Sequence, residues 1–517
     1  MDFLTNFTTF DWIIVAVYLM GTVVVGIYAN RFVGDMADYI VAGRSLKSFA
    51  SIATMLGSEI GLVTVMYTSQ KGFTGGFAAL HIGVVAGLAC LLVGLTGFIV
   101  VPLRKTAVMT IPEYYSLRFS RGVRILGGVL LSVAGVLNMG VFLKAGAIFV
   151  TSITGLNDPA AVNIVMAVLI SLVVLYTVLG GMVSVVITDY IQFVVLSFGM
   201  LACCWFAYQA VSWEALVTAV KEIHGEGGFN PFNEDVYGLS YIMWMIFVFG
   251  IVSCAVWPTA VMRVCAAENT KVVKRLYTWS SIGFLTRFII PMFLGISALA
   301  YFSMSEHGHD YFFTGEGGVV DDTNITMQAL PTFLGEILPA GVIGLIVAGM
   351  LAAFMSTHDS YLLCWASVFV EDVINPIAGG ELPVRTRLLL ARIMIVLIGA
   401  FLYVWSTWYP MGQDMLDYLA VSAAIYFIGA FTLLVGGLYW KQASTVGAYL
   451  ALATGLLAVF GLPPVQKAVG LTEGNLGFKL TEAHVGLGAT ALAVVLMVAG
   501  SLLFPGSEAD RTQGEQV

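Results

Sequence analysis

Charge is scarce in this sequence. Only 10% of its 517 residues are Asp, Glu, Lys or Arg, where a soluble domain carries about 25%. That deficit excludes a water-soluble enzyme, a disordered chain and a nucleic-acid binder. Metal-ligand and disulfide spacings are missing too. Cys90, Cys203, Cys204, Cys254, Cys265 and Cys364 lie in or beside apolar stretches, and the six histidines are scattered. The start of the chain has acids but no Lys or Arg before the apolar run Phe10–Ala29. It therefore lacks the basic opening of a signal peptide and reads as a retained first helix with its N-terminus outside. No stretch has the composition of a soluble kinase or nucleotide-binding domain.

What the chain has is apolar length. Hydrophobic residues make up 59% of it and the mean hydropathy is +0.93, enough for roughly a dozen crossings of ~20 residues each. Thirteen segments can be drawn, at 10–29, 48–70, 76–103, 122–153, 160–179, 183–211, 238–262, 278–303, 339–368, 388–408, 416–439, 443–462 and 484–504. A chain crossing lipid must satisfy its own backbone, so these are expected to be helices. The predicted class is all-α integral membrane with about 13 transmembrane helices.

Lys and Arg set the orientation. With the N-terminus outside, inner loops and ends collect Arg31, Arg44, Lys47, Arg104, Lys105, Arg118, Arg121, Arg124, Arg263, Lys271, Lys274, Arg275, Arg385, Arg387, Arg392, Lys441 and Arg511. The outer loops hold Lys71, Lys221, Lys467 and Lys479, and Lys144 and Arg287 fall inside segments. Seventeen against four places the C-terminus in the cytoplasm and supports an odd helix count. The acidic loop Ser305–Thr323 and the loop with Glu222, Glu226, Glu234 and Asp235 then face outside. The expected location is a cell membrane, of the bacterial inner-membrane kind.

Two segments look interrupted in mid-membrane. The second carries Gly57, Ser58, Glu59, Ile60 and Gly61; the seventh carries Gly250, Ser253, Cys254 and Trp257-Pro258. Each is followed by four more segments. Breaks at matching places in two halves point to an inverted-repeat secondary transporter with a midplane site. Glycines placed only for close helix packing are the plainer reading of the same residues.

Several strings then accumulate: DYIVAGRSLKSF (38–49), TIPEYYSLRFSRGVRI (110–125), GGMVSVVITDYIQF (180–193), MSTHDSYLLCWASVFVEDV (355–373) and GLYWKQASTVGA (437–448). Together they resemble the sodium:solute symporter family, over about residues 10 to 460. The resemblance implies a LeuT-like core of two inverted five-helix repeats and sodium-coupled symport of a small organic solute. It divides the chain into an N-terminal helix and inner loop (1–47), a first repeat (48–212), a second repeat (213–440), two C-terminal helices (441–504) and a cytoplasmic tail (505–517). The lipid bilayer and a small solute are the expected partners; neither nucleic acid nor an obligate protein partner is indicated.

Sodium needs hard oxygens, and backbone carbonyls come free only where a helix breaks. In the ninth segment Ala353, Ser356, Thr357 and Ser360 share one helical face. By resemblance, the main sodium site maps to Gly57, Ile60, Ala353, Ser356 and Thr357. Ser and Thr bonding back to their own helix is the plain alternative. Some relatives hold a further cation, which maps to Asp189, Ser356, Asp359 and Ser360. Asp359 stands where the family usually has a hydroxyl or small residue, so a proton is an equally open occupant, and a loop-capping role is open for Asp189.

Charges inside the membrane default to functional hypotheses. Glu59 lies in the second segment's break, and the sodium/proline branch is also acidic at the matching place. Lys144 lies near the middle of the fourth segment, and pairing it with Glu59 would relieve both; Arg287 could snorkel. The places that bind sugar in the galactose branch hold Gly83, Ser253, Thr64 and Ala420 here. The expected substrate pocket is therefore Glu59, Thr64, Lys144 and Ser253, with a carboxylate or amino acid favoured over a sugar and Lys144 as the carboxylate's partner. Two other classes compete with a symporter. One is a membrane sensor domain of the same fold; the other is a membrane enzyme, for which the sequence offers no catalytic constellation.

Overall fold

The computed structural model describes residues 5–29, 42–156, 158–234, 236–304, 309–314, 318–380, 382–409 and 414–506. Arg31, Asp235, Arg511, residues 38–41, residues 305–308 and 315–317 of the acidic loop and the tail from residue 507 lie outside the described residues. All thirteen apolar stretches fall on helices. The helices used below are α1 (Thr9–Ala29), α2 (Ser48–Glu59), α3 (Leu62–Gly75), α4 (His81–Thr96), α5 (Arg121–Met139), α6 (Phe142–Thr154) and α7 (Pro159–Ala210). They continue with α8 (Gly238–Trp244), α9 (Ser253–Val256), α10 (Pro258–Ala266), α11 (Thr270–Ser303), α12 (Val342–Val368), α13 (Val384–Trp408), α14 (Met415–Tyr439), α15 (Thr445–Gly455) and α16 (Glu482–Leu503).

Among the described residues, ten helical runs are long and apolar enough to cross a bilayer, or eleven with a pair bent by 93° after Gly461. The difference from thirteen has local causes. The run Leu62–Thr96 holds two stretches, α3 and α4, and the chain turns between them at Gly76, whose φ of +58° favours glycine. The described apolar part of α1 is short, Thr9–Gly21. Polar caps start the helices where the sequence allows: Ser120 for α5, Asp158 for α7 and Asn269 for α11 accept from first-turn N–H groups.

One expectation changes. The fifth and sixth segments were drawn as separate helices parted near Gly180-Gly181, yet helix runs without interruption through all 52 residues of α7. Its two apolar spans, Ala160–Val178 and Gln192–Ala210, both lean on α12. Tyr176 donates to the Met355 carbonyl or Asp359, and Ser356 donates to Asp189.

α12 and α14 form the centre, each with 89% of its apolar window buried, against 28% for α13 and 33% for α16. α12 packs on α7, α1, α5 and α13, while α14 packs on α5, α15 and α16. Both expected breaks are present. Between α2 and α3 the helix opens at Ile60 (φ −95°, ψ 73°) and Gly61 (φ −98°, ψ 167°). In the seventh segment α8 runs into a π-helical stretch, Met245–Val252, then α9, then a break at Trp257 (ψ 117°) before Pro258 opens α10. Proline has no N–H to give and fits a first helical turn.

α3 and α11 meet backbone to backbone. A Cβ at Gly295 would lie 1.9 Å from the Ser69 carbonyl oxygen, and one at Gly72 would lie 2.1 Å from that of Met292. Small residues allow such approach in membranes. Gly295→Ala is expected to destabilise the protein by about 1–3 kcal/mol through overpacking. Gly199→Ala, whose Cβ would meet nothing closer than 3.9 Å, should stay close to wild type. Thermal unfolding in detergent compares the two.

Candidate functional site

The break between α2 and α3 frees carbonyls that helix geometry would otherwise satisfy, and groups from other helices take them up. Ser356 faces the Gly57 carbonyl at 3.4 Å. The Thr357 hydroxyl lies 3.2 Å from the Ser58 carbonyl and 3.0 Å from that of Ala353. The Glu59 carbonyl accepts from Thr64 at 3.0 Å and from Arg287 at 3.1 Å. Two oxygen groups thus stand beside the bend at Ile60, Ser356 with Gly57 and Thr357 with Ser58 and Ala353. These are hard oxygens of the kind a sodium ion takes. Gly61 is part of the geometry, because a Cβ there would fall 2.1 Å from Thr357 Oγ1.

Beside this cluster is a buried charge network. Asp189 accepts from Thr54 (2.6 Å), Ser58 (2.9 Å) and Arg263 (3.2 Å), and also from Ser356. Arg263 donates to Ser360 (3.1 Å), to the Thr259 carbonyl (3.0 Å) and to Ser58. Its side chain is 1% exposed and that of Asp189 is not exposed at all. Arg263, expected among the inner loops and segment ends, sits in the last turn of α10 with its side chain buried against the carboxylate of the expected second cation site. The structure brings Asp189, Ser356 and Ser360 together there. Asp359 is close enough to Asp189 and Arg263 to feel both charges, but its hydrogen bond goes to another helix. Its Oδ2 meets the Tyr176 hydroxyl at 2.9 Å, and its Oδ1 has no hydrogen-bond partner among the described residues. The Tyr176 oxygen is also 2.9 Å from the Met355 carbonyl, so its one hydrogen serves one acceptor at a time.

A central cavity opens against the same break. Its charged wall is Glu59 and Arg287. Its polar groups include Thr64, Asn138, Ser253 and Thr357, and its aromatic walls include Tyr67, Phe142, Trp257, Tyr361 and Phe427. Arg287 Nη1 donates to Glu59 Oε2 at 2.8 Å, with the two side chains 8% and 7% exposed. Thr259 donates to Glu59 Oε1 at 3.0 Å, so the two broken helices meet at this carboxylate. The guanidinium also lies 4.4 Å from the Phe284 ring centre and 4.7 Å from that of Phe288, a favourable cation–π setting.

The expected Glu59–Lys144 pair is therefore corrected: the partner is Arg287. Lys144 is half-buried on α6, where Phe142 supplies the cavity wall, and the acid it feels is Asp322. Lys144 was expected near mid-bilayer like Glu59, but it is not among the residues that line the cavity. Of the expected pocket residues, Glu59, Thr64 and Ser253 line the cavity. Asn138, Thr259, Tyr176 and Arg263 were missed. For Arg287 and Arg263 a signal existed, a basic residue within or beside an apolar segment with an unpaired acid elsewhere.

Comparison with known proteins gives three findings. The family model for the sodium:solute symporter family matches residues 39–455. The chain is 29% identical to sodium/glucose cotransporter 1 of Mus musculus and 27% identical to sodium/glucose cotransporter 4 of Danio rerio, covering 86% of this chain and 70% of the relative in both cases. The fold superposes on a Na+-coupled sialic acid symporter in a substrate-bound outward-open state, with a TM-score of 0.79 and 18% identity over 97% of this chain and 99% of that one. At that identity the likeness speaks for the shared LeuT-like, all-α membrane fold alone.

Removing one partner of a buried ion pair strands the other, at a cost of about 3–5 kcal/mol. Glu59→Gln is expected to lower the thermal stability by that order. The double change Glu59→Gln with Arg287→Met should recover most of it, while Lys144→Met should leave solute-induced thermal shifts unchanged. Thermal unfolding with and without solute checks all three.

Proposed function

The chain belongs to the sodium:solute symporter family, and from that premise we propose that it carries a small zwitterionic or anionic organic solute, of amino-acid or carboxylate type, across the membrane with sodium. It is a multi-pass membrane protein of a family of transporters, with sodium as the co-transported ion. The observation that carries the solute class is the Glu59–Arg287 pair in the cavity wall at the helix break. A zwitterion can exchange that pair for two intermolecular ones, its carboxylate on Arg287 and its ammonium on Glu59, so both protein charges stay compensated. An anion alone would compete with Glu59 for the guanidinium. Lys144, first taken as the carboxylate's partner, yields that role to Arg287.

Gly57, Ile60, Ala353, Ser356 and Thr357 are the proposed sodium cage. Asp189, Asp359 and Ser360 remain candidates for a second cation, with Arg263 as the resident positive charge when that cation is elsewhere. Residues 48–212 and 213–440 are the proposed inverted repeats, with the N-terminus outside. Sodium and solute are coupled through shared residues: Thr357 supplies both a cage hydroxyl and a piece of cavity wall, and Glu59 adjoins the cage through its backbone and the solute through its carboxylate.

A sugar is the second reading, favoured by the names of the relatives and by aromatic faces such as Trp257 and Tyr361 beside Asn138 and Ser253. Proteoliposome uptake under an imposed sodium gradient separates the two. Uptake of an amino or carboxylic acid that chases sodium supports the proposal; uptake of sugars alone rejects it. Ser356→Ala and Thr357→Ala are each expected to raise the sodium concentration for half-maximal uptake by about tenfold, the equivalent of 1.4 kcal/mol for one lost oxygen ligand. Unchanged sodium dependence in both would remove the cage assignment. Asp359→Asn is expected to lower the Hill slope for sodium or flatten the pH profile of uptake; a variant matching wild type in both makes Asp359 structural.

A further inference from the structure

Lys71 was expected in an outer loop. It lies instead inside α3, with its side chain 5% exposed and its ammonium 2.6 Å from Asp414 and 2.7 Å from Asp417, which are 28% and 13% exposed. Tyr241 donates to the other oxygen of Asp417 at 2.9 Å. The ammonium also lies 5.7 Å from the Tyr237 ring centre and 5.5 Å from that of Tyr241. The cluster therefore ties α3, α8 and the start of α14 together.

Its position matters more than its strength. Thr64, Tyr67 and Lys71 follow one another on a single face of α3, and the first two line the central cavity. Asp417 follows the cavity-lining Leu416 on α14. On its other side the cluster faces a second, polar cavity, walled by Lys71, Asp414 and Tyr237 together with His224, Asp321 and Asp322. The charge distribution assigns that side to the exterior. The ion cluster is thus the partition between an outer vestibule and the central cavity.

We propose that Lys71, Asp414 and Asp417 form the outer gate of the solute path, an inference that rests on reading the central cavity as that path. A permanent wall would be made as well or better from apolar side chains, since a buried ion pair seldom outperforms them. A wall meant to part has the opposite need. Its broken state must be tolerable, and Lys71 and Asp414, which line the polar vestibule, can be rehydrated from it as they separate. That gives two discrete arrangements of similar free energy, which is what a gate requires.

Cys254 provides the readout, being a free cysteine in the wall of the central cavity. The other five cysteines are replaced, and right-side-out vesicles are treated with a membrane-impermeant maleimide. Cys254 should label slowly in the parent. In Lys71→Gln and in Asp417→Asn it should label faster by about tenfold, because weakening a two-state latch shifts its population exponentially. The charge exchange Lys71→Asp with Asp417→Lys should return the rate toward that of the parent. If Lys71→Gln is not recovered as a monodisperse protein, Asp414→Asn takes its place. Folded variants that label at the parent rate overturn the gate, as does a charge exchange that labels as fast as the single variants. Because labelling reads access and not uptake, a wrong solute class would leave this result untouched.

Discussion

A helix broken in the middle of a bilayer exposes carbonyl oxygens where no water is at hand to bond them. Most of this structure can be understood as the answer to that cost. The carbonyls of Gly57, Ser58 and Glu59 are met by hydroxyls of Ser356 and Thr357 on α12 and by the guanidinium of Arg287 on α11. α12 has to be central to reach them, and it is among the most buried of the spans. Arg287 has to be compensated, and Glu59, from the same break, compensates it. Hydroxyls and one cation satisfy the freed backbone provisionally, in a way that a mobile cation could take over.

The second break, at Trp257, is joined to the first through side chains. Thr259 holds Glu59, while Arg263, one turn further along α10, reaches Asp189, Ser58 and Ser360. Two networks therefore cross the interface between the broken helices. One is open to the central cavity and carries Glu59 and Arg287. The other is closed from it and carries Asp189 and Arg263. In each, a guanidinium stands against a carboxylate, Arg287 on Glu59 and Arg263 on Asp189.

The spans and both breaks were legible because apolar length and mid-segment polar or glycine residues are local signals. Glu59 stood out for the same reason. Its partner did not, because Glu59 and Arg287 are 228 residues apart and only the fold decides which of two intramembrane bases reaches an acid. Lys144 had an equal claim from the sequence, yet it does not line the cavity that Glu59 and Arg287 share. Lys71 was placed in an outer loop and Arg263 among the inner loops and ends because hydropathy windows blur the ends of segments; both are buried within helices. The continuity of α7 past Gly180-Gly181 was hidden as well, since paired glycines weaken helix without forbidding it.

The contact between α3 and α11 has a mechanical meaning. With Gly72 and Gly295 letting each backbone touch the other, little side-chain padding remains to absorb sliding or rotation between these two helices. They are built to travel as one beam. Lys71 is the neighbour of Gly72 and so sits on the stiffest part of α3. Asp414 and Asp417 sit at the very start of α14, where a helix end can tilt away. In any parting of that ion cluster Lys71 is the doorpost and the head of α14 is the leaf.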